Sequence, residues 1–201
     1  MASLEEIRKE RIKKLNSLTE KGFEVYPIST DRDFTIEEAI ADFSKLSKRK
    51  KPLNLAGRVL SQRGQGAIIF ISFSDGTETI QGMLRKDETK KEAFSLFDEV
   101  VDVGDFLQFS GTLLTTKRGE NTLLVKDWKM LAKSLRPLPD KWHGIQDVEE
   151  RFRKRYLDIL MSPEVKERFV TRTRLIREMR SFLDERGYLE VETPVLQPLY
   201  G

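Results

Sequence analysis

The stretch LNLAGRVLSQRGQGAIIFISFSDGTETIQGMLR, Leu53 to Arg85, decides the fold. It reads as three consecutive strands. Residues 53–62 are rich in Leu and Val, residues 67–73 (AIIFISF) carry alternating β-branched and aromatic side chains, and residues 78–84 (ETIQGML) alternate again. Asp75-Gly76 is a turn dipeptide between the second and third strands, where Gly supplies a positive φ. The loop between the first two, RGQG, is basic and punctuated by glycine.

The residues that follow supply the remaining parts of a barrel. Asp87 is placed to cap a short helix, DETKKEAFSLFDEV, with Ala93, Phe94, Leu96 and Phe97 as its apolar stripe. Residues 105–116 (DFLQFSGTLLTT) and 121–131 (NTLLVKDWKML) read as two further strands, joined by a Lys117-Arg118-Gly119-Glu120 turn. Strand-strand-strand-helix-strand-strand is the order of a closed Greek-key barrel of the oligonucleotide-binding (OB) type. The expected class is α+β: an N-terminal helix plus a five-stranded OB-fold Greek-key β-barrel, then further helices and a strand.

Upstream, residues 3–21 read as one helix, with Ser3 and Glu6 as a capping box and Gly22 as its stop. Leu4, Ile7, Ile12, Leu15 and Leu18 give it an apolar edge, and Arg8, Lys9, Arg11, Lys13 and Lys14 populate the other face. That basic face is a solvated surface or a phosphate-contacting flank of the barrel. Thr35 with Glu38 marks a second short helix, TIEEAIADF. Lys45 to Lys51 (KLSKRKK), five positive residues in seven, reads as a solvated connector before Pro52.

Downstream, LRPLPDKWHGI (135–145) is a proline-punctuated link, a domain boundary. Asp147 opens a helix, DVEERFRKRYLDILM, and Ser162-Pro163 starts another, with Pro at the first helical position where its missing N–H costs nothing. In this second helix Val165, Phe169, Ile176, Met179 and Leu183 recur at helical spacing. Gly187 ends it, and Tyr188-Leu189-Glu190-Val191 reads as a strand halting at Thr193-Pro194. Two amphipathic helices and one strand offer an apolar face and no sheet to bury it. The expectation is a second copy or a longer protein of which this is the front part.

Composition narrows the chemistry. The 201 residues include no Cys, which excludes disulfides, thiol nucleophiles and cysteine zinc sites. Lys and Arg number 36 against 33 Asp and Glu, a net charge of +3, so placement of charge matters more than its sum. No apolar run approaches a membrane span and the charged N-terminus is unlike a secretory signal, so a cytoplasmic location is expected. Gly64-Gln65-Gly66 lacks the Lys-Ser/Thr of a phosphate loop. His143 is the sole histidine, leaving a triad or zinc site little to draw on, and is read as structural.

A barrel that reads single-stranded nucleic acid needs a stacking platform, a basic rim and polar groups facing base edges. Phe70 and Phe73 lie three residues apart in one strand and so point to opposite faces, one into the core, and side-chain chemistry alone reads Phe70 as the core member. Gln81 lies in the third strand and Glu120 in the turn before the fifth. A carboxylate suits the N3–H donor of uracil, and a Gln amide can pair with uracil oxygens or with N3–H.

These residues together resemble the amino-terminal part of bacterial class II lysyl-tRNA synthetases, along essentially the whole chain. AGRVLSQRGQGAIIFISFSDGTETIQ (56–81) is similar to that family's anticodon-binding barrel. LRPLPDKWHGIQDVEERFRKRYLDIL (135–160) resembles its hinge and following helices, and RGYLEVETPVL (186–196) its motif 1. The resemblance implies that Phe70 stacks an anticodon base, that Gln81 and Glu120 read uridines, that Arg63 sits at the barrel rim, and that Pro194 lies at a homodimer interface. It implies ATP and Mg²⁺ for a complete enzyme that activates lysine and charges tRNA(Lys), with no catalytic or metal-binding residue in this stretch. Ala67 stands where the family usually has Lys, one charge fewer near the RNA-binding face. The expected organisation is an N-terminal extension (1–52), the barrel (53–134), a hinge (135–146) and the start of a class II domain (147–201). A stand-alone RNA-binding module is the alternative. An aspartyl- or asparaginyl-type synthetase shares the barrel and motif 1, but the 135–160 segment argues against it.

Overall fold

The computed structural model describes residues 3–139 and 144–196. Contacts divide the chain into two compact units, Met1–Leu138 and Pro139–Gly201. His143 lies outside the described residues.

In the first unit, strands β1 (Leu53–Gln65), β2 (Ile68–Ser74), β3 (Thr79–Arg85), β4 (Phe106–Thr115) and β5 (Asn121–Ala132) close a barrel in the order β1-β2-β3-β5-β4. β1 is long enough to serve two neighbours. Leu53–Arg58 pairs with β4, and Arg58–Gln65 with β2, the register slipping between Val59 and Ser61. Such a slip bends a strand, which is how one strand turns a corner of a closed sheet. The β3–β5 seam is parallel and every other pairing is antiparallel. Where strands cross closely only glycine fits. A Cβ on Gly111 would lie 2.1 Å from the Leu124 carbonyl oxygen, and one on Gly57 2.8 Å from that of Ser74.

Alternation in β2 sends Ile69, Ile71 and Phe73 into the barrel and leaves Ile68, Phe70 and Ser72 partly exposed. Phe73 meets Phe109 at 4.6 Å between ring centroids. Helix α4 (Lys91–Val100) packs Phe94, Phe97 and Val100 onto the same core, and Trp128 sits edge-on to Phe97 with its indole N–H donating to the Ala93 carbonyl. Helix α4 starts later than its sequence suggests. The Thr89 hydroxyl donates to the Val125 carbonyl and the Lys90 N–H to that of Lys126, which holds both residues on β5. Asp87 therefore caps nothing and pairs with Arg85 at 2.7 Å.

The N-terminal residues share this core. Helix α1 (Leu4–Glu20) has both halves of its capping box, Ser3 and Glu6, and buries Leu18. Its basic face is not uniform. Arg11, expected on the open side, is buried, its guanidinium donating to the carbonyls of Val103, Ser134 and Arg136. Lys14 pairs with Asp102 at 2.7 Å. Beneath them the Lys133 ammonium, with no exposed side-chain surface, contacts Asp105 at 2.6 Å and Asp102 at 2.5 Å and donates to the Val100 carbonyl. The helix periodicity shows which residues face away from Leu18, but not that carbonyls of distant segments converge there. Residues 45–49, expected as connector, belong to helix α3 (Phe43–Arg49) beside α2 (Ile36–Ala41), because Phe43 and Leu46 are drawn into the core.

The second unit holds α5 (Val148–Arg153), α6 (Arg155–Met161) and α7 (Pro163–Asp184). The single helix expected over 147–161 breaks at Lys154, and the break lets Arg151 and Arg155 converge on the buried Asp158 carboxylate, at 2.9 and 2.6 Å. Asp147 caps α5, whereas Ser162 makes no side-chain cap and Pro163 alone marks the start of α7. Tyr188–Val191 does not form the expected strand. A strand needs a neighbour to take its ladder, and among the described residues none lies alongside. Phe152, Tyr156, Met179, Leu183, Leu189 and Val191 are exposed here. No helix of the described residues is long and apolar enough to cross a membrane.

Candidate nucleic-acid interface

The outer surface of the barrel carries a groove of about 330 Å³ lined by Arg63, Phe70, Gln81, Thr116, Lys117, Arg118 and Glu120. Register brings them together. Arg63 is the cross-strand partner of Phe70 between β1 and β2. Gln81, partner of Ser72 in β2, is paired on its other side with Thr122 in β5. Phe73 fills the core, so the period of two leaves Phe70 outward and half-buried, not in the core as its side-chain chemistry alone suggests.

The β4–β5 turn is stiffened from within. The Thr116 N–H donates to the Glu120 carbonyl at 3.0 Å, the Gly119 N–H to the Thr116 carbonyl at 2.9 Å, and the Glu120 N–H to the Thr116 hydroxyl at 3.2 Å. Gly119 takes φ +84°, which an L side chain resists. Buried Thr122 then places its hydroxyl 2.8 Å from Gln81 Oε1 and 3.2 Å from the Glu120 carbonyl oxygen.

The chemistry of the groove is a list of complementary parts. An aromatic face stacks on a flat base, an amide offers donor and acceptor together, a carboxylate only accepts, and Arg63, Lys117 and Arg118 attract phosphate. Arg63, Phe70, Gln81 and Glu120, singled out from the sequence, thus line one groove, whereas Pro194 lies in the unpaired stretch of the second unit. Thr116, Lys117, Arg118 and Thr122 escaped the sequence reading as site residues. Two adjacent cations in the strand 4–5 turn of such a barrel were a usable signal for Lys117 and Arg118. Nothing in the sequence pointed to Thr122, whose position depends on strand register.

Residues 53–131 match a family described as OB-fold nucleic acid binding domain, and residues 147–201 one described as tRNA synthetases class II (D, K and N). Among curated proteins, the lysine–tRNA ligase of Roseiflexus castenholzii is 44% identical over 98% of this chain and 41% of its own. That of Chloroflexus aurantiacus is 45% identical over 98% and 40%, and that of Pelotomaculum thermopropionicum 42% over 98% and 38%. The chain spans about two fifths of the length of these curated relatives. The chain thus joins a stretch matching an OB-fold nucleic acid binding domain to one matching class II tRNA synthetases (D, K and N), and along nearly all of its length it is similar to part of lysine–tRNA ligases.

Proposed function

We propose that the first unit recognises the anticodon of tRNA(Lys), as the reading module of a lysine–tRNA ligase. The convergence of Phe70, Gln81 and Glu120 in one groove, rimmed by Arg63, Lys117 and Arg118, carries this reading. A lysine anticodon is rich in uridine. Stacking on Phe70 is indifferent to sequence, whereas Gln81 and Glu120 supply what a uracil edge needs: an acceptor for N3–H and a donor for a ring carbonyl. The cations hold the backbone in register without reading it.

The complete ligase activates lysine with ATP and Mg²⁺ and transfers it to the tRNA 3′ end, a cytoplasmic task. The described residues offer no site for that metal. Among the described residues no group of three or more His, Cys, Asp or Glu side chains could hold a metal ion, and no step of adenylate formation is assigned to them. Homodimerisation through the second unit belongs to the same reading, supported by the exposed apolar side chains of α7 and of residues 188–196, with Pro194 among them.

The test is binding of the 201-residue chain to a lysine-type anticodon hairpin, and to one with its middle uridine replaced, across a salt series. A preference of about 1–3 kcal/mol that persists as salt rises is expected. Equal binding that fades with salt would mean attraction to the backbone alone and end the anticodon reading.

A further inference from the structure

We propose that Thr122 is the positioning residue that makes Gln81 a reader of uracil rather than of pyrimidines in general. A Gln amide is almost symmetrical in shape, and turning it over exchanges its acceptor for its donors. In one orientation it matches uracil, whose N3 donates and O4 accepts. In the other it matches cytosine, whose N3 accepts and N4 donates. A free Gln therefore selects weakly between the two, and selection requires that the amide be held.

Thr122 holds it. The residue is fully buried on β5, directly opposite Gln81 across the parallel seam, and its hydroxyl donates to Gln81 Oε1 at 2.8 Å. Turning the amide over forces the hydroxyl to accept from Nε2 instead. Its proton then moves to the Glu120 carbonyl, which is farther away at 3.2 Å and already accepts from the Thr116 N–H. The single hydroxyl proton serves either Gln81 Oε1 or the Glu120 carbonyl, and the shorter contact is the one to Gln81. The held Oε1 keeps a second lone pair for a base N–H, and the amide N–H on the same edge stays available to a carbonyl. Thr122 itself does not line the groove, so it acts through Gln81 and not on the base.

This inference rests on the anticodon reading above, and the experiment separates the two. Wild type, Thr122→Val and Thr122→Ser are titrated with a lysine-type hairpin and with the same hairpin carrying cytidine for its middle uridine, at fixed salt. Wild type prefers uridine. Thr122→Val, which keeps the shape and loses the hydroxyl, should narrow the preference about tenfold, chiefly by tighter binding of the cytidine hairpin, and Thr122→Ser should restore it. If Thr122→Val does not fold, Thr122→Ala takes its place. An unchanged uridine preference in a folded variant without the hydroxyl overturns the proposal while leaving the anticodon reading intact. No preference in wild type overturns both.

Discussion

The Thr122 hydroxyl and the Gln81 amide meet at 2.8 Å across the parallel β3–β5 seam. The strand pairing that closes the barrel is therefore also what sets a polar side chain of the groove. Closure and the groove share this seam, whereas Phe70 and Glu120 stand off it, so variants of these two should separate from variants of the core.

Phe70→Ala should weaken binding of every hairpin by about 1–3 kcal/mol, because stacking does not depend on base identity. Phe70 is only half-buried on the outer face, so the melting temperature should fall by much less than for the buried Phe73→Ala, whose expected cost is about 3–5 kcal/mol. Glu120→Gln should cost mainly uridine preference. Fluorescence anisotropy with matched and altered hairpins, alongside thermal melts, distinguishes the three.

Ala67 is exposed at the β1–β2 turn, where the resemblance to lysyl-tRNA synthetases implies a lysine. Ala67→Lys should raise hairpin affinity at low salt and steepen the slope of log K against log salt by about 0.7, the release of one counterion from single-stranded RNA. An unchanged slope would place this turn away from the backbone.

Lys133→Met should destabilise the first unit by about 3–5 kcal/mol, since it leaves the Asp105 carboxylate buried without its ammonium partner. Burial already pushes the Asp105 carboxyl above its ordinary value, against the pull of Lys133. Lys14→Met, which removes the more exposed pair with Asp102, should cost no more than about 1 kcal/mol. Urea titrations of the two variants rank them.

Asp75 ties two segments together. Its Oδ2 accepts from the Ile36 N–H at 3.0 Å, and its Oδ1 accepts from the Thr77 hydroxyl at 2.6 Å and the Thr77 N–H at 3.0 Å. Burial pushes its carboxyl up, but these bonds outweigh burial and hold it below the ordinary value. A folded-state value below the unfolded one gives stability that is present above about pH 4 and lost as pH falls through the folded value. Asp75→Asn should cost about 1–2 kcal/mol at neutral pH, and the gap to wild type should close in acid. Denaturation at pH 7 and pH 3 reads both.

Gly111→Ala should destabilise by more than about 3 kcal/mol, because its Cβ would meet the Leu124 backbone, which has no side chain to swing away. Gly64→Ala is the control: nothing lies within 4 Å of a Cβ there and its φ is not positive, so its stability should stay within about 1 kcal/mol of wild type.

The sequence by itself determined the barrel and most of its groove. Strand alternation with a period of two put Phe70 and Phe73 on opposite faces, and only the barrel's packing decided that Phe73 is the inner one. Turn glycines marked the strand ends, and the spacing of Ser3 with Glu6 and of Thr35 with Glu38 located two helix starts. These are local signals, set by backbone geometry over a few residues. Tertiary structure decided what depends on partners far along the chain. Arg11 is buried because carbonyls of Val103, Ser134 and Arg136 converge on it, and α4 starts late because β5 holds Thr89 and Lys90. Tyr188–Val191 has strand composition but, among the described residues, no strand beside it. Thr122, an ordinary β-branched residue in the sequence, reaches Gln81 only because β5 crosses to lie parallel to β3, a register no local pattern encodes.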